Sequence, residues 1–89
     1  MNYDDFRQQV RTLAEERVAQ AALIPLPELR QRLAECPADV FDRHVLQLQQ
    51  EGLVHVMTHV DAASLPADVR RGCVTHPSGI LLYWIRWVG

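Results

Sequence analysis

No stretch of this 89-residue chain approaches the roughly 20 apolar residues that a membrane-spanning helix requires. The first residues, Met1-Asn2-Tyr3-Asp4-Asp5, are acidic and polar, which is not the pattern of a secretory leader. A cytoplasmic location is the expectation. Cysteine is sparse: Cys36 and Cys73 are too few for a disulfide framework, and reduced thiols are expected. Lysine is missing altogether, so every basic residue is arginine, a bias that fits a GC-rich genome or a use for bidentate phosphate contacts. The sequence also lacks a glycine-rich phosphate loop, a nucleophile elbow and a carboxylate pair in an evident cleft, and no enzyme is expected. His44 and Asp42 are no catalytic dyad, because residues two apart on a helix face different ways. There is no repeat, low-complexity tract or linker, so residues 1–89 are read as one domain.

With 48% hydrophobic and 22% charged residues the composition is globular. The net charge of −2 is awkward for a nucleic-acid binder, whose affinity rests on neutralising phosphates. Such a domain can bind DNA only if its arginines gather on one face.

The most informative segment is Phe41-Asp42-Arg43-His44-Val45-Leu46-Gln47-Leu48-Gln49-Gln50-Glu51-Gly52-Leu53-Val54. Phe41, Val45 and Leu48 recur at helical spacing and form one apolar stripe. Gly52 then supplies the positive φ of a helix C-terminus, and Leu53-Val54 begins an extended run. This segment resembles the recognition helix and first wing strand of winged helix-turn-helix domains of the bacterial and archaeal repressor kind. Members often carry an arginine-histidine-aliphatic triplet eight or nine residues before such a glycine, and Arg43-His44-Val45 is similarly placed.

The remaining pattern fits an α+β domain: three helices, then a two- to three-stranded antiparallel β wing with a short inserted helical turn. Tyr3, Phe6, Val10, Leu13, Val18 and Ala21 predict a long amphipathic helix over residues 3–22. Leu23-Ile24-Pro25-Leu26 reads as a brief extended connector. Pro27 opens a second helix to Ala34, with Leu29 and Leu33 inward, and Pro37 opens the third, to Glu51. Residues 53–60 alternate as a strand, and Ser64 to Gly72 reads as a serine-capped helical turn. Cys73 to His76 reads as a short strand and Pro77-Ser78-Gly79 as a turn. Ile80 to Val88 reads as one final strand.

The resemblance implies a small regulator of transcription that binds double-stranded DNA, with a homodimer expected. Arg43, Gln47 and Gln50 on the outer edge of the third helix are the base-reading candidates, since arginine matches guanine and glutamine matches adenine in the major groove. Arg70, Arg71, Arg30 and Arg32 are candidates for backbone contact. Asp39, Asp42 and the apolar Leu46 on that helix argue against DNA and for the alternative, a protein-interaction or assembly module. The last strand is apolar on both faces, and the first helix or a subunit interface must cover the second. Leu46, Trp84 and Trp87 are the interface candidates. A metal site would have to come from His55, His59, Cys73 and His76, but His55 and His59 lie about 13 Å apart along a strand, so no metal and no cofactor is expected. Cys36, near a helix N-terminus, would sense oxidants only if its thiol pKa were lowered; packing in the helix turn is the simpler role.

Overall fold

The computed structural model describes residues 1–89, the side chain of Gln20 excepted. Helix α1 spans Tyr3–Glu15. The Asn2 side chain accepts the Asp5 N–H at 2.8 Å, and Asp4 and Asp5 occupy the first turn, where negative charge is favoured. Phe6, Val10 and Ala14, four residues apart, are its buried line.

The helix stops seven residues short of the expected boundary. A 3-10 turn, Val18–Gln20, follows, and then Ala21 and Ala22 adopt positive φ angles of 57° and 59°. The Ala22 N–H donates to the Arg17 carbonyl at 2.9 Å, closing the reversal. Val18, expected inward, is 75% exposed. The reversal delivers strand β1, Leu23–Pro25, to the sheet.

Helix α2 covers Leu26–Arg32 with Pro27 in its first turn, where a missing N–H costs nothing. Helix α3 covers Ala38–Gln50, and Phe41, Val45 and Leu48 are all fully buried. At its end Gly52 has φ +75°; its N–H donates to the Gln49 carbonyl and the Leu53 N–H reaches back to the Leu48 carbonyl, each at 3.0 Å. This paired closure satisfies two orphan carbonyls and turns the chain into strand β2, Val54–Met57.

Beyond β2 the chain makes a 3-10 turn, Ala62–Ser64, and helix α4, Ala67–Gly72. The expected serine cap is absent: Pro66 holds the N-cap position, and Ser64 belongs to the preceding turn. Gly72 is needed for proximity, not for a turn. A Cβ there would lie 2.9 Å from the Pro27 Cβ, so glycine lets α4 sit on α2. Strands β3, Val74–Thr75, and β4, Leu81–Leu82, form a short antiparallel hairpin, and β5 is Trp84–Trp87.

The fold is therefore α+β: four helices with two small antiparallel sheets, one ordered β1-β5-β2 and one β3-β4. The final strand is not continuous. Tyr83 interrupts it, donating its N–H to Met57 while its carbonyl accepts the Leu26 N–H at 2.6 Å. The interruption shifts the alternation, so Leu82 and Ile85, which would face opposite sides of a regular strand, are both buried. One core results, filled from α1, α2, α3 and the inner faces of both sheets.

Candidate functional site

The buried stripe of α3 fixes where its other residues point. On one flank His44 meets α1, its Nε2 3.2 Å from the Met1 carbonyl and its ring 5.1 Å from that of Phe6. On the other flank lie Asp42 and Leu46, toward α2 and the β3-β4 hairpin. Leu46, Gln49 and Gln50 share an open cavity of about 400 Å³ with His76 and Pro77 of the hairpin tip. Asp39, Arg43, Gln47 and Gln50 are exposed, which makes them the helix's outer edge. The three base-reading candidates are thus brought together on one surface. Gln47 is oriented by Glu51, its amide Nε2 donating to Oε2 at 3.1 Å.

Arg30 has a different place. Its Nη2 lies 2.7 Å from Asp42 Oδ1 and 3.0 Å from the Cys73 carbonyl, and its Nε donates to the Gly72 carbonyl at 3.0 Å. The guanidinium also stands 4.3 Å from the Phe41 ring centre. Four groups from α3, α4 and the approach to β3 therefore engage its Nε, its Nη2 and its face. Arg30 is a structural tie, with Nη1 alone outside these bonds. No short-range sequence signal announced this, because its partners lie 11 to 43 residues away.

The other arginines divide by location. Arg7 pairs with Asp4, Arg11 with Glu15 and Arg17 with Glu28. Among the described residues Arg32, Arg43, Arg70, Arg71 and Arg86 have no such carboxylate partner. Four of these five belong to α2, α3 and α4, where the exposed Asp39 and Asp68 likewise have no arginine partner among the described residues. Arg70 and Arg71 lie in the last turn of α4, beside Leu81, and not at the hairpin tip.

Leu46, Trp84 and Trp87 do not share a surface. Leu46 and Trp87 pack at different margins of the core. Trp84 lies across from Pro25 and Met57 on the opposite sheet face, which also carries Leu23, Arg86 and His55. Leu23, Pro25, Met57 and Trp84 take no part in the core, so α1 does not cover that face. Trp84 instead abuts Tyr83, whose ring abuts His59, with 4.8 Å between centres in each pair.

Tyr3 was not singled out by its sequence context, yet it joins the start of α1 to the end of α3. Its hydroxyl donates to Glu51 Oε1 at 2.9 Å. Burial, followed by that hydrogen bond and the Glu51 charge, raises the phenol from 10.0 to about 12. A raised folded-state value means that the contribution is complete below pH 10.0 and is lost as pH climbs toward about 12. In an absorbance titration at alkaline pH, one of the two tyrosines should ionise late, and Tyr3→Phe should delete that late phase. An unaltered profile would contradict the assignment.

The histidines and cysteines are separately engaged. His59 Nδ1 accepts the Asp61 N–H, His76 Nδ1 faces Ser78 Oγ at 2.8 Å, and the Cys73 thiol is directed at the Val69 carbonyl. No group of three or more His, Cys, Asp or Glu side chains in metal-binding geometry occurs among the described residues. Cys36 and Cys73 are free and buried. Burial pushes both thiols up, so Cys36 lacks the lowered pKa that oxidant sensing would require. No helix is long and apolar enough to cross a membrane.

Compared with protein-family models, with curated proteins and with solved structures, the chain matches none. What it does must be inferred from its own residues.

Proposed function

We propose that the chain is a winged helix-turn-helix domain that binds duplex DNA as a small, non-enzymatic transcription regulator. The element order supports this reading: helix, strand, two helices, then strands that close a sheet in the order β1-β5-β2. The β3-β4 hairpin takes the place of a wing beside the C-terminal half of α3. The observation that carries the proposal is the exposed edge of α3, where Arg43, Gln47 and Gln50 lie together and Gln50 borders the hairpin tip. With α3 in the major groove, Arg43 reads guanine and the glutamines read adenine. Arg32, Arg70 and Arg71 meet phosphates, and Arg30 holds the helices that present them. A homodimer would supply the second α3 that a palindromic site needs.

Fluorescence anisotropy with a labelled random duplex at two salt concentrations tests the first half of this reading. Affinity should fall steeply as salt rises, because arginine contacts release counterions. On a site selected from a random library, the Arg43→Ala, Gln47→Ala double variant should lose roughly 1–3 kcal/mol for each bidentate contact removed. An unchanged affinity in that variant would remove the assignment.

A second reading has one observation of its own, the outer sheet face with Leu23, Pro25, Met57 and Trp84 outside the core. These four residues are half-buried, and partly exposed apolar faces can serve protein docking. A docking module would bind random duplex weakly and without the steep salt dependence.

A further inference from the structure

The Glu51 carboxylate, one turn beyond Gln47 at the end of α3, is bonded through both of its oxygens. Oε1 accepts the Tyr3 hydroxyl at 2.9 Å, and Oε2 accepts the Gln47 amide at 3.1 Å. An exposed pair four residues apart on a helix is weak by itself. This pair has an anchor on another helix. The Tyr3 ring is half-buried against the core, 5.5 Å from the His44 ring of α3, and the Arg7 guanidinium stands 5.6 Å from its centre. The hydroxyl thus reaches Glu51 from a ring packed between α1 and α3. The Glu51 N–H also donates to the Gln47 carbonyl at 3.0 Å, which fixes the backbone between the two side chains.

A carboxylate only accepts hydrogen bonds, so it selects one of the two ways in which a glutamine amide can point. The Gln47 nitrogen faces Glu51, and the side-chain carbonyl oxygen, which the carboxylate repels, turns away. That leaves the oxygen and the second amide hydrogen for a groove. An acceptor beside a donor matches adenine, whose N6 donates and whose N7 accepts. Guanine presents two acceptors, O6 and N7, and meeting them requires the amide nitrogen to turn outward. That rotation breaks the bond to Glu51 and aims the glutamine oxygen at a carboxylate. Glu51 also brings negative charge to an edge that must approach phosphates, which lowers affinity for every sequence alike. Its contribution is to selectivity, through the contact it disfavours.

We infer that Glu51 and Tyr3 are positioning residues for base reading: Tyr3 holds Glu51, and Glu51 holds the Gln47 amide in the orientation that fits adenine and rejects guanine. This rests on the DNA-binding reading of the α3 edge. Neither residue acts by touching a base.

Two measurements test it, one without DNA. In the free protein, ¹⁵N relaxation of the Gln47 side-chain amide reads its restraint directly, Gln47→Ala making the assignment. Glu51→Ala should free the amide fully and Tyr3→Phe in part; circular dichroism checks that each variant folds. With DNA, the base read by Gln47 is the one whose replacement no longer matters in Gln47→Ala. At that base the wild type should prefer adenine to guanine by about tenfold or more. Tyr3→Phe should shrink the preference without reversing it. In Glu51→Gln the Tyr3 hydroxyl still finds a carbonyl, which turns the new amide nitrogen toward Gln47 and reverses its orientation, so preference should move toward guanine. Affinity of Glu51→Gln for random duplex should hold or rise, because a negative charge is gone.

A wild-type amide as mobile as that of Glu51→Ala, a guanine preference in the wild type, or an adenine preference that no variant alters would each overturn the inference with DNA binding intact. Equal losses on every sequence would mark the pair as merely structural and overturn it too. A wild type without salt-dependent duplex affinity would instead remove the DNA-binding reading, and this inference with it, whatever the amide does.

Discussion

Phe41→Ala should cost about 3–5 kcal/mol, the usual range for emptying a buried phenylalanine site. Phe41 is fully buried and meets Phe6 edge-to-face, with ring centres 5.4 Å apart. Its ring also carries the Arg30 guanidinium, so the truncation removes a cation–π contact along with the packing. Domains of this size have about 5–15 kcal/mol of stability in total, so the variant stands near unfolding. Phe41→Leu keeps most of the volume and isolates the loss of the aromatic ring. Urea denaturation of the two variants measures both effects. A change below about 1 kcal/mol for alanine would mean that the site collapses without consequence, contrary to its contacts.

Arg30→Met should be the costliest change of a charged residue. The substitution preserves the aliphatic stem and deletes the bonds to Asp42 and to the Gly72 and Cys73 carbonyls. Hydrogen bonds to charged groups contribute about 1.5–3 kcal/mol, and the stranded carbonyls add their own cost. The ion pair adds little more, because the side chains remain 21% and 42% exposed and solvent screens them. The loss should be local first. Amide exchange at Cys73 and Val74 should accelerate well before exchange in α1, since Arg30 supplies the side-chain hydrogen bonds that tie the α4–β3 junction to the helix pair beside the packing of Gly72 on Pro27. Uniform acceleration would show that the tie has no local character. In the DNA-binding reading, this variant weakens binding by displacing Arg70 and Arg71, with α3 left in place.

The helix pair was legible because its signals are local. Phe41, Val45 and Leu48 announce a buried stripe at their own spacing, and Gly52 announces the closure that the chain adopts. Residues 3–22 misled for a related reason: Val18 and Ala21 continue the spacing of α1, but spacing cannot register two alanines in the left-handed region. That conformation is rare for alanine and is imposed by the turn into β1. The last strand misled because alternation was counted through Tyr83, where the chain leaves one sheet for the other. The stripe alone placed Asp39, Arg43, Gln47 and Gln50 outward, but Asp42, bonded to Arg30, and Leu46, packed on the core, lie on the flank instead. The role of Arg30 and the Tyr3–Glu51 bond both depend on residues far apart in sequence, and no window along the chain contains them.

Tyr83 has a mechanical consequence. Its peptide groups are clasped from two directions, by Met57 on β2 and by Leu26 at the start of α2, while its two chain neighbours belong to different sheets. The hairpin, whose Val74 and Leu82 are buried in the core, is therefore clamped at its exit as well. A load applied to the His76-to-Gly79 tip is transmitted to the base of α2, and hence to the helix that carries Arg30. Whatever touches the tip also pulls on the helix pair.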